Sequence, residues 1–128
     1  FVLALTSNPE APQVQHARNG QRTVAGEMLA ALTELNHGAD PMGSYGAVVG
    51  ATIQDSSENL AINGPLLVPG IGAQGGTVDD VRRIFSGVLD YVLRSSSREV
   101  LGQGPSGAAL AASARRQAEN FATMVSRG

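Results

Sequence analysis

The sequence contains neither cysteine nor lysine. Without cysteine the chain forms no disulfides and offers no thiolate ligands to a metal. Without lysine it has no lysine acid, base or Schiff-base former of its own. All nine basic residues are arginines, and the formal net charge is −2. These numbers argue against a broad basic surface for nucleic acids or membranes.

Long apolar runs are also missing, since none approaches the roughly 20 residues that a membrane helix needs. The opening run, residues 1–5, is too short for a signal peptide and has no basic leader. At 128 residues the chain has the size of one small domain. It opens without methionine inside what reads as a buried strand, and we therefore expect it to be part of a longer chain.

Short apolar runs alternate with segments of helical periodicity. The runs predict four buried strands, at residues 1–5, 46–52, 65–69 and 90–93. The segments between and after them predict a helix beginning at Thr23 with Val24, Met28, Leu32 and Leu35 on its apolar face, a weakly helical connection at 56–62, a helix capped by Thr77 with Val81, Ile84, Phe85 and Val88 on its apolar face, and a final helix at 106–125.

This alternation predicts the α/β class, with helices packed on a parallel sheet. Four strand-helix units are half of an eightfold (β/α) barrel, and they also suit a small doubly wound sheet. The start inside a strand favours the half barrel. The polar stretch at residues 10–22 lies between the first strand and the first helix, and a loop of that length is usually functional or disordered.

The glycine-rich segment at residues 69–77 leads from the third strand into a helix. Glycines let a backbone approach a ligand closely, and the free N–H groups of a helix start favour an anion. Gln74 is the one large polar side chain among small neighbours, and its amide can both donate and accept. These features indicate a phosphate site, and the alternative is a tight turn in which glycine only permits the geometry.

Two further segments end strands with polar side chains. Residues 95–98 close the fourth strand, and Arg98 is able to grip two phosphate oxygens with its guanidinium fork. The alternative is a surface arginine paired with Glu99 or Asp90, while Arg94, inside the strand, is interpreted as structural. Residues 6–9 close the first strand, where Ser7 suits a planar heterocycle, although Ser-Asn-Pro is also a common turn. His16 and His37 have no neighbours at metal-ligand spacing.

Four of these segments, read in order, carry a family resemblance. They are LTSNP at residues 5–9, GAVVGAT at 46–52, LVPGIGAQGG at 67–76 and SSSR at 95–98. Together they resemble the orotidine 5′-phosphate decarboxylase family, and in particular its longer bacterial branch.

The resemblance implies a full (β/α)₈ barrel in which this chain, residues 1–128, supplies the C-terminal half with strands five to eight. It implies conversion of orotidine 5′-monophosphate to uridine 5′-monophosphate and carbon dioxide, without a metal or an organic cofactor. Ser7 would bond the pyrimidine amide edge, Gln74 would bridge base and phosphate, and Gly75 and Arg98 would bind the phosphate. Residues 8–22 would cover the base. We further expect a cytoplasmic homodimer with no nucleic-acid or membrane partner.

The family's reacting groups alternate lysine and aspartate in the form Asp-x-Lys-x-x-Asp. With no lysine, the chain cannot hold that motif, and we expect it to be inactive alone. Two positions depart from the family pattern: Glu10 where glycine is common, and Glu99 where a small residue is usual. Glu99 would weaken phosphate binding unless its side chain turns away. The rival interpretations are another phosphate-binding barrel enzyme acting on sugar phosphates, and a non-catalytic half-barrel binding module.

Overall fold

The computed structural model describes residues 1–53, 57–72 and 75–125, so that the predicted site residue Gln74 lies outside the described residues. The strands are β1 (Val2–Leu5), β2 (Arg18–Asn19), β3 (Arg22–Thr23), β4 (Ala47–Val49), β5 (Leu66–Val68) and β6 (Val92–Arg94). The helices are α1 (Ala11–Gln15), α2 (Val24–Leu35), α3 (Val78–Ile84), α4 (Arg98–Leu101) and α5 (Gly107–Val125), with a 3₁₀ turn at Leu89–Tyr91.

The main sheet has four parallel strands in the order β1-β4-β5-β6. The strands of this sheet therefore follow one another in chain order, whereas a doubly wound sheet reverses its order at a switch point. The four predicted strands are confirmed, in shorter form than the apolar runs proposed. Sequential winding of this kind is that of a (β/α) barrel.

The two faces of the sheet are buried to different degrees. Ala47, Val49, Leu66 and Val68 are fully buried. Val48 and Leu67 point to the opposite face, because side chains alternate along a strand, and both are only half-buried. A doubly wound sheet carries helices on both faces, so this asymmetry also favours the barrel-type winding.

Helix α2 begins where the sequence predicts. The Thr23 hydroxyl caps the helix by accepting a hydrogen bond from the Gly26 N–H at 2.9 Å, which satisfies a donor that the helix itself cannot pair. The predicted apolar face is confirmed at Leu32 and is wrong at Leu35, while Val24 and Met28 are only half-buried. Ala25, Leu29 and Leu32 are buried, while Leu35 is 58% exposed.

Helix α3 begins as predicted but is shorter, since it ends at Ile84 and Val88 lies beyond it. Thr77 and Asp80 form a capping box in which each side chain bonds the backbone of the other. Val81, Phe85 and Val88 are buried in the core. Helix α5 runs through the predicted span. No helix among the described residues is both long enough and apolar enough to cross a membrane.

The connection at 57–62 is not helical, which contradicts its prediction. Leu60 and Ile62 are both buried, and this spacing of two is typical of extended chain. The Asn59 side chain accepts a hydrogen bond from the Ala61 N–H at 3.0 Å. An asparagine that bonds nearby backbone in this way competes with helix formation.

The fourth strand starts later than predicted. Residues 89–91 form the 3₁₀ turn, with the Tyr91 N–H bonded to the Val88 carbonyl at 3.1 Å. Strand β6 then runs from Val92 through Arg94. The polar stretch at 10–22 is not featureless either, since it contains α1 and most of the β2–β3 hairpin, and α4 was not predicted.

Candidate functional site

The predicted site segments meet at one edge of the main sheet. All four strands are parallel, so their carboxyl ends lie together, and Ser7, Thr52, the glycine loop and residues 95–98 follow these ends. Hydrogen bonds continue past the strands: the Gly50 N–H bonds the Leu5 carbonyl at 2.9 Å, and the Ala51 N–H bonds the Pro69 carbonyl at 2.9 Å. The backbone at the start of these loops is therefore held by hydrogen bonds between neighbouring strand ends.

In the glycine loop, residues 70–76, the described residues on the two sides are hydrogen-bonded to each other. Gly70, Gly72 and Gly75 have φ values of 96°, 82° and 88°, which residues with a side chain adopt only under strain. The Gly75 N–H donates to the Gly72 carbonyl at 2.8 Å, and the Gly76 N–H donates to the Gly70 carbonyl at 3.1 Å. The glycines therefore do form a tight turn, and the Gly75 N–H already has an acceptor, the Gly72 carbonyl, inside the loop.

The N-terminus of α3 is a weaker anion site than helix N-termini usually are. The capping box uses the N–H groups of Thr77 and Asp80, and Asp79 and Asp80 place two carboxylates in the first turn. Hydrogen bonds from the Thr77 side chain and then from the Thr77 backbone lower the pKa of Asp80 below its ordinary 3.8. Asp80 is therefore ionised at neutral pH, and the helix start is already occupied by acidic groups.

A polar pocket joins the glycine loop to the end of β6. Its volume is about 220 Å³. It is lined by Pro69, Gly70 and Ile71 on one side and by Ser95, Ser96, Ser97, Arg98 and Glu99 on the other. This pocket, here called the anion pocket, places Arg98 next to the glycine loop, although Gly75 is not among the residues that line it.

The two charged residues that line the anion pocket, Arg98 and Glu99, differ in whether they form an ion pair. Arg98 is exposed and forms no ion pair with any described residue. Glu99 is instead held from outside the pocket by Arg94, whose Nη2 lies 3.3 Å from the Glu99 carboxylate. Arg94 also donates from Nη1 to the Gln117 carbonyl at 3.1 Å, and its side chain is only 13% exposed. Arg94 is thus the structural arginine and Arg98 the available one.

Ser7 lies at the same edge but outside the anion pocket. Its hydroxyl is exposed and accepts a hydrogen bond from the Thr52 hydroxyl at 2.9 Å. Thr52 is not among the predicted site residues, although its hydroxyl follows the carboxyl end of β4 in the way that the Ser7 hydroxyl follows β1. The two hydroxyls form a small polar pair between neighbouring strand ends.

The segment that follows Ser7 is tied to the end of β1. The Gln15 amide accepts from the Thr6 N–H at 2.9 Å and donates to the Thr6 carbonyl at 3.1 Å. Asn8 donates to the Glu10 carboxylate at 3.0 Å, and this hydrogen bond, followed by one from the Glu10 backbone, lowers the pKa of Glu10. The departure at Glu10 thus adds an ionised carboxylate beside the Ser7 turn.

Metal-binding groups are not assembled in the parts of the chain that the structure describes. No three histidine, aspartate or glutamate side chains come together there. His16 lies at the end of α1 and His37 follows the end of α2.

These features define an α/β protein with barrel-type winding and a polar pocket at the carboxyl edge of its sheet. No family model matches the chain. Curated proteins named orotidine 5′-phosphate decarboxylase match the chain. The one from Nocardioides sp. is 63% identical over 105 residues, which is 79% of this chain and 38% of that protein. The one from Streptomyces coelicolor is 54% identical over 127 residues, which is 98% of this chain and 46% of that protein.

Solved structures give the same result. A crystal structure of a Streptomyces avermitilis protein assigned as orotidine 5′-phosphate decarboxylase superposes with a TM-score of 0.93 at 52% identity, covering 98% of this chain and 45% of the other. Leishmania donovani UMP synthase superposes with a TM-score of 0.59 at 27% identity, covering 98% of this chain and 27% of the other. The chain belongs to the orotidine 5′-phosphate decarboxylase family and spans less than half the length of the relatives it matches.

Proposed function

We propose that this chain is the C-terminal, substrate-holding half of an orotidine 5′-monophosphate decarboxylase barrel. The observation that carries the proposal is the anion pocket at the carboxyl edge of a barrel-type sheet. Arg98 lies there beside the glycine loop and forms no ion pair with the described residues. Active sites of barrel enzymes lie at this edge, and phosphate sites are often built by the loops after the last two strands.

In this proposal Arg98 binds the phosphate of the nucleotide. A guanidinium donates two parallel hydrogen bonds to neighbouring phosphate oxygens, and these charge-assisted bonds are roughly twice as strong as neutral ones. Ser95, Ser96 and Ser97 line the same pocket, and their hydroxyls are proposed to add uncharged donors. Gly75 contributes by shaping the loop, because its own N–H is bonded to Gly72. Gln74 is proposed, from the family resemblance, to bridge phosphate and base.

Ser7 is proposed to bond the amide edge of the pyrimidine. Its hydroxyl already accepts from Thr52, which leaves the Ser7 proton free to donate to a ring carbonyl. The Gln15 clamp on Thr6 fixes the backbone immediately before Ser7, so the hydroxyl is presented from a rigid strand end. Residues 8–22, with α1 and the hairpin, are the proposed cover of the base.

These contacts supply binding energy away from the bond that breaks. In the proposed reaction the C–CO₂ bond breaks, carbon dioxide leaves, and the ring carbanion takes up a proton to give uridine 5′-monophosphate. Phosphate and base contacts fix the nucleotide so that the reacting carbon is correctly placed. The proton donor is not in this chain, since lysine is absent. We therefore expect the 128-residue chain alone to bind nucleotide without decarboxylating it.

Equilibrium binding to the chain tests this proposal. Uridine 5′-monophosphate is expected to bind more tightly than inorganic phosphate, because it adds the base contacts, and to compete with it. Ribulose 5-phosphate is expected to compete no better than phosphate itself. Equal binding of both organic phosphates would favour the sugar-phosphate barrel enzyme, and turnover of orotidine 5′-monophosphate by the lysine-free chain would contradict the division of roles.

The homodimer and the cytoplasmic location remain predictions from the family resemblance. Sedimentation of the full-length enzyme checks the first, and fractionation of cells checks the second.

A further inference from the structure

We propose that Arg94 is a positioning residue for the anion pocket, an inference that rests on the proposed function. Arg94 holds the Glu99 carboxylate against the back of the pocket and neutralises its charge, so that Arg98 meets the phosphate without a competing anion.

The need for such a residue follows from the pocket's own charges. Arg98 and Glu99 are neighbours in the chain, and both line the anion pocket. Taken by themselves their charges cancel, and a dianionic phosphate would be attracted by one and repelled by the other. Inside a partly closed site these interactions are stronger than in bulk water, because fewer water molecules screen them. A carboxylate here opposes the proposed function unless another cation compensates it.

Arg94 provides that cation from outside the pocket. It is the last residue of β6 and is not among the residues that line the anion pocket. Its Nη2 lies 3.3 Å from the Glu99 carboxylate, while Nη1 is anchored at 3.1 Å on the Gln117 carbonyl of α5. The side chain of Arg94 is only 13% exposed. Strand β6, Glu99 and α5 are thus linked through a single guanidinium that is held at its two terminal nitrogens, Nη1 and Nη2.

The same pair also touches the glycine loop. A Cβ built on Gly72 would lie 2.7 Å from Oε2 of Glu99 and 3.7 Å from Nη2 of Arg94. Glu99 therefore occupies the space that a side chain at Gly72 would take, directly beside the loop backbone. The ion pair with Arg94 holds this carboxylate beside the loop. With two arginines against one carboxylate, the group of three retains one net positive charge for an anion.

A charge-rescue experiment tests the inference, with inorganic phosphate and uridine 5′-monophosphate as probes of the 128-residue chain. Arg94→Gln is expected to weaken the binding of both by about tenfold or more, because Glu99 is then uncompensated. Arg94→Gln with Glu99→Gln is expected to restore affinity to within about threefold of the unmodified chain, because both charges are removed together. Glu99→Gln alone is expected to bind phosphate more tightly. Arg116→Gln, at an exposed residue of α5 that does not line the anion pocket, is the control for the same charge change and should leave affinity unaltered.

A purely structural role for Arg94 gives a different pattern. The double variant would then bind as weakly as Arg94→Gln, and Glu99→Gln alone would also lose affinity. Either result overturns the inference. Circular dichroism shows whether each variant is folded. If Arg94→Gln does not fold, the Glu99→Gln variant decides: tighter binding supports the inference and weaker binding overturns it. If the unmodified chain binds neither probe, the proposed function fails with it, whereas binding without rescue overturns the role of Arg94 alone.

Discussion

At the amino edge of the main sheet Asn36 is 1% exposed and bonded through its whole side-chain amide, whereas at the carboxyl edge Arg98 is exposed and has no ion pair among the described residues. The Asn36 amide donates to the carbonyls of Tyr45 and Ile62 at 2.8 and 2.9 Å, and its oxygen accepts from the Tyr45 N–H at 3.1 Å. These contacts join the end of α2 to the approaches of β4 and β5.

The difference teaches which edge stabilises the fold and which is available for binding. A buried amide with all its partners rigidifies the structure, and it would be costly to leave those partners unpaired. Gly43 and Gly64 approach the Asn36 side chain so closely that a Cβ on either would collide with it. The carboxyl edge, in contrast, carries glycines with positive φ and an exposed arginine, Arg98, that forms no ion pair with the described residues. Barrel enzymes divide stability and function in the same way.

Removing the amide at Asn36 is expected to have the largest effect on stability. Asn36→Ala leaves two carbonyls and one N–H unpaired in a buried place, which costs about 3 kcal/mol in the free energy of unfolding. Urea unfolding measures this loss. The matched control is Asn59→Ala, at an exposed residue whose side chain accepts from the Ala61 N–H and has no other bond to the described part of the chain, and it should cost under about 1 kcal/mol. Equal losses in the two variants would contradict the assignment of the amino edge as the stabilising one.

Removing the guanidinium at Arg98 is expected to affect binding and not stability. Arg98→Gln should weaken binding of uridine 5′-monophosphate by about tenfold to a hundredfold, since it loses a charge-assisted pair of hydrogen bonds. The free energy of unfolding should change by less than about 0.5 kcal/mol, as for other exposed substitutions. Calorimetric titration measures the first and urea unfolding the second. Arg116→Gln on the exposed side of α5 is the control, and a similar loss of affinity there would mean that net charge alone explains the binding.

The glycine loop connects the two kinds of role. Gly75 has a φ of 88° and open space where a Cβ would stand, so Gly75→Ala is strained by its backbone rather than by a collision. We expect a loss of about 1 kcal/mol in the free energy of unfolding, together with weaker phosphate binding. Gly107→Ala, where φ is not positive and a Cβ also meets no atom, should cause no loss in either measurement. A Gly75→Ala chain with unchanged stability would contradict the observed loop conformation.

The smallest expected effect is a pH dependence at the start of α3. Because the pKa of Asp80 is lowered in the folded chain, its carboxylate stabilises the fold above the ordinary value of 3.8 and loses this contribution as the pH falls through the lowered value. Asp80→Asn should therefore lower the thermal midpoint at neutral pH, and the gap to the unmodified chain should close at pH values well below 3.8. Asp79→Asn, outside the capping box, is the control. A gap that widens on acidification would contradict the hydrogen bonds between Thr77 and Asp80.

Local signals made part of this structure predictable. Thr77 and Asp80 stand three residues apart before an apolar helix face, and that spacing is sufficient to predict the capping box. The buried strands were recognisable from their unbroken apolar runs. The predicted helix does not form at 57–62 because Leu60 and Ile62 are buried by tertiary packing and the Asn59 side chain bonds the backbone of Ala61.

The pattern of partners at the site was not predictable from spacing. Glu99 follows Arg98 in the chain, yet it pairs with Arg94, and that pairing depends on an anchor in α5, at the Gln117 carbonyl, 23 positions after Arg94. In the same way, Asn36 meets Ile62 across 26 positions. Such contacts arise only when the sheet brings distant segments together.

The central claim is that nucleotide phosphate binds at the carboxyl edge, and the amide NMR spectrum of the ¹⁵N-labelled chain tests it most directly. On titration with uridine 5′-monophosphate, we predict saturable shifts at Gly70, Gly72 and residues 95–98, accompanied by shifts at Ser7, while Asn36 and Tyr45 at the amino edge stay unchanged. Saturable shifts centred on the amino edge, or none at all in a folded chain, would contradict the account.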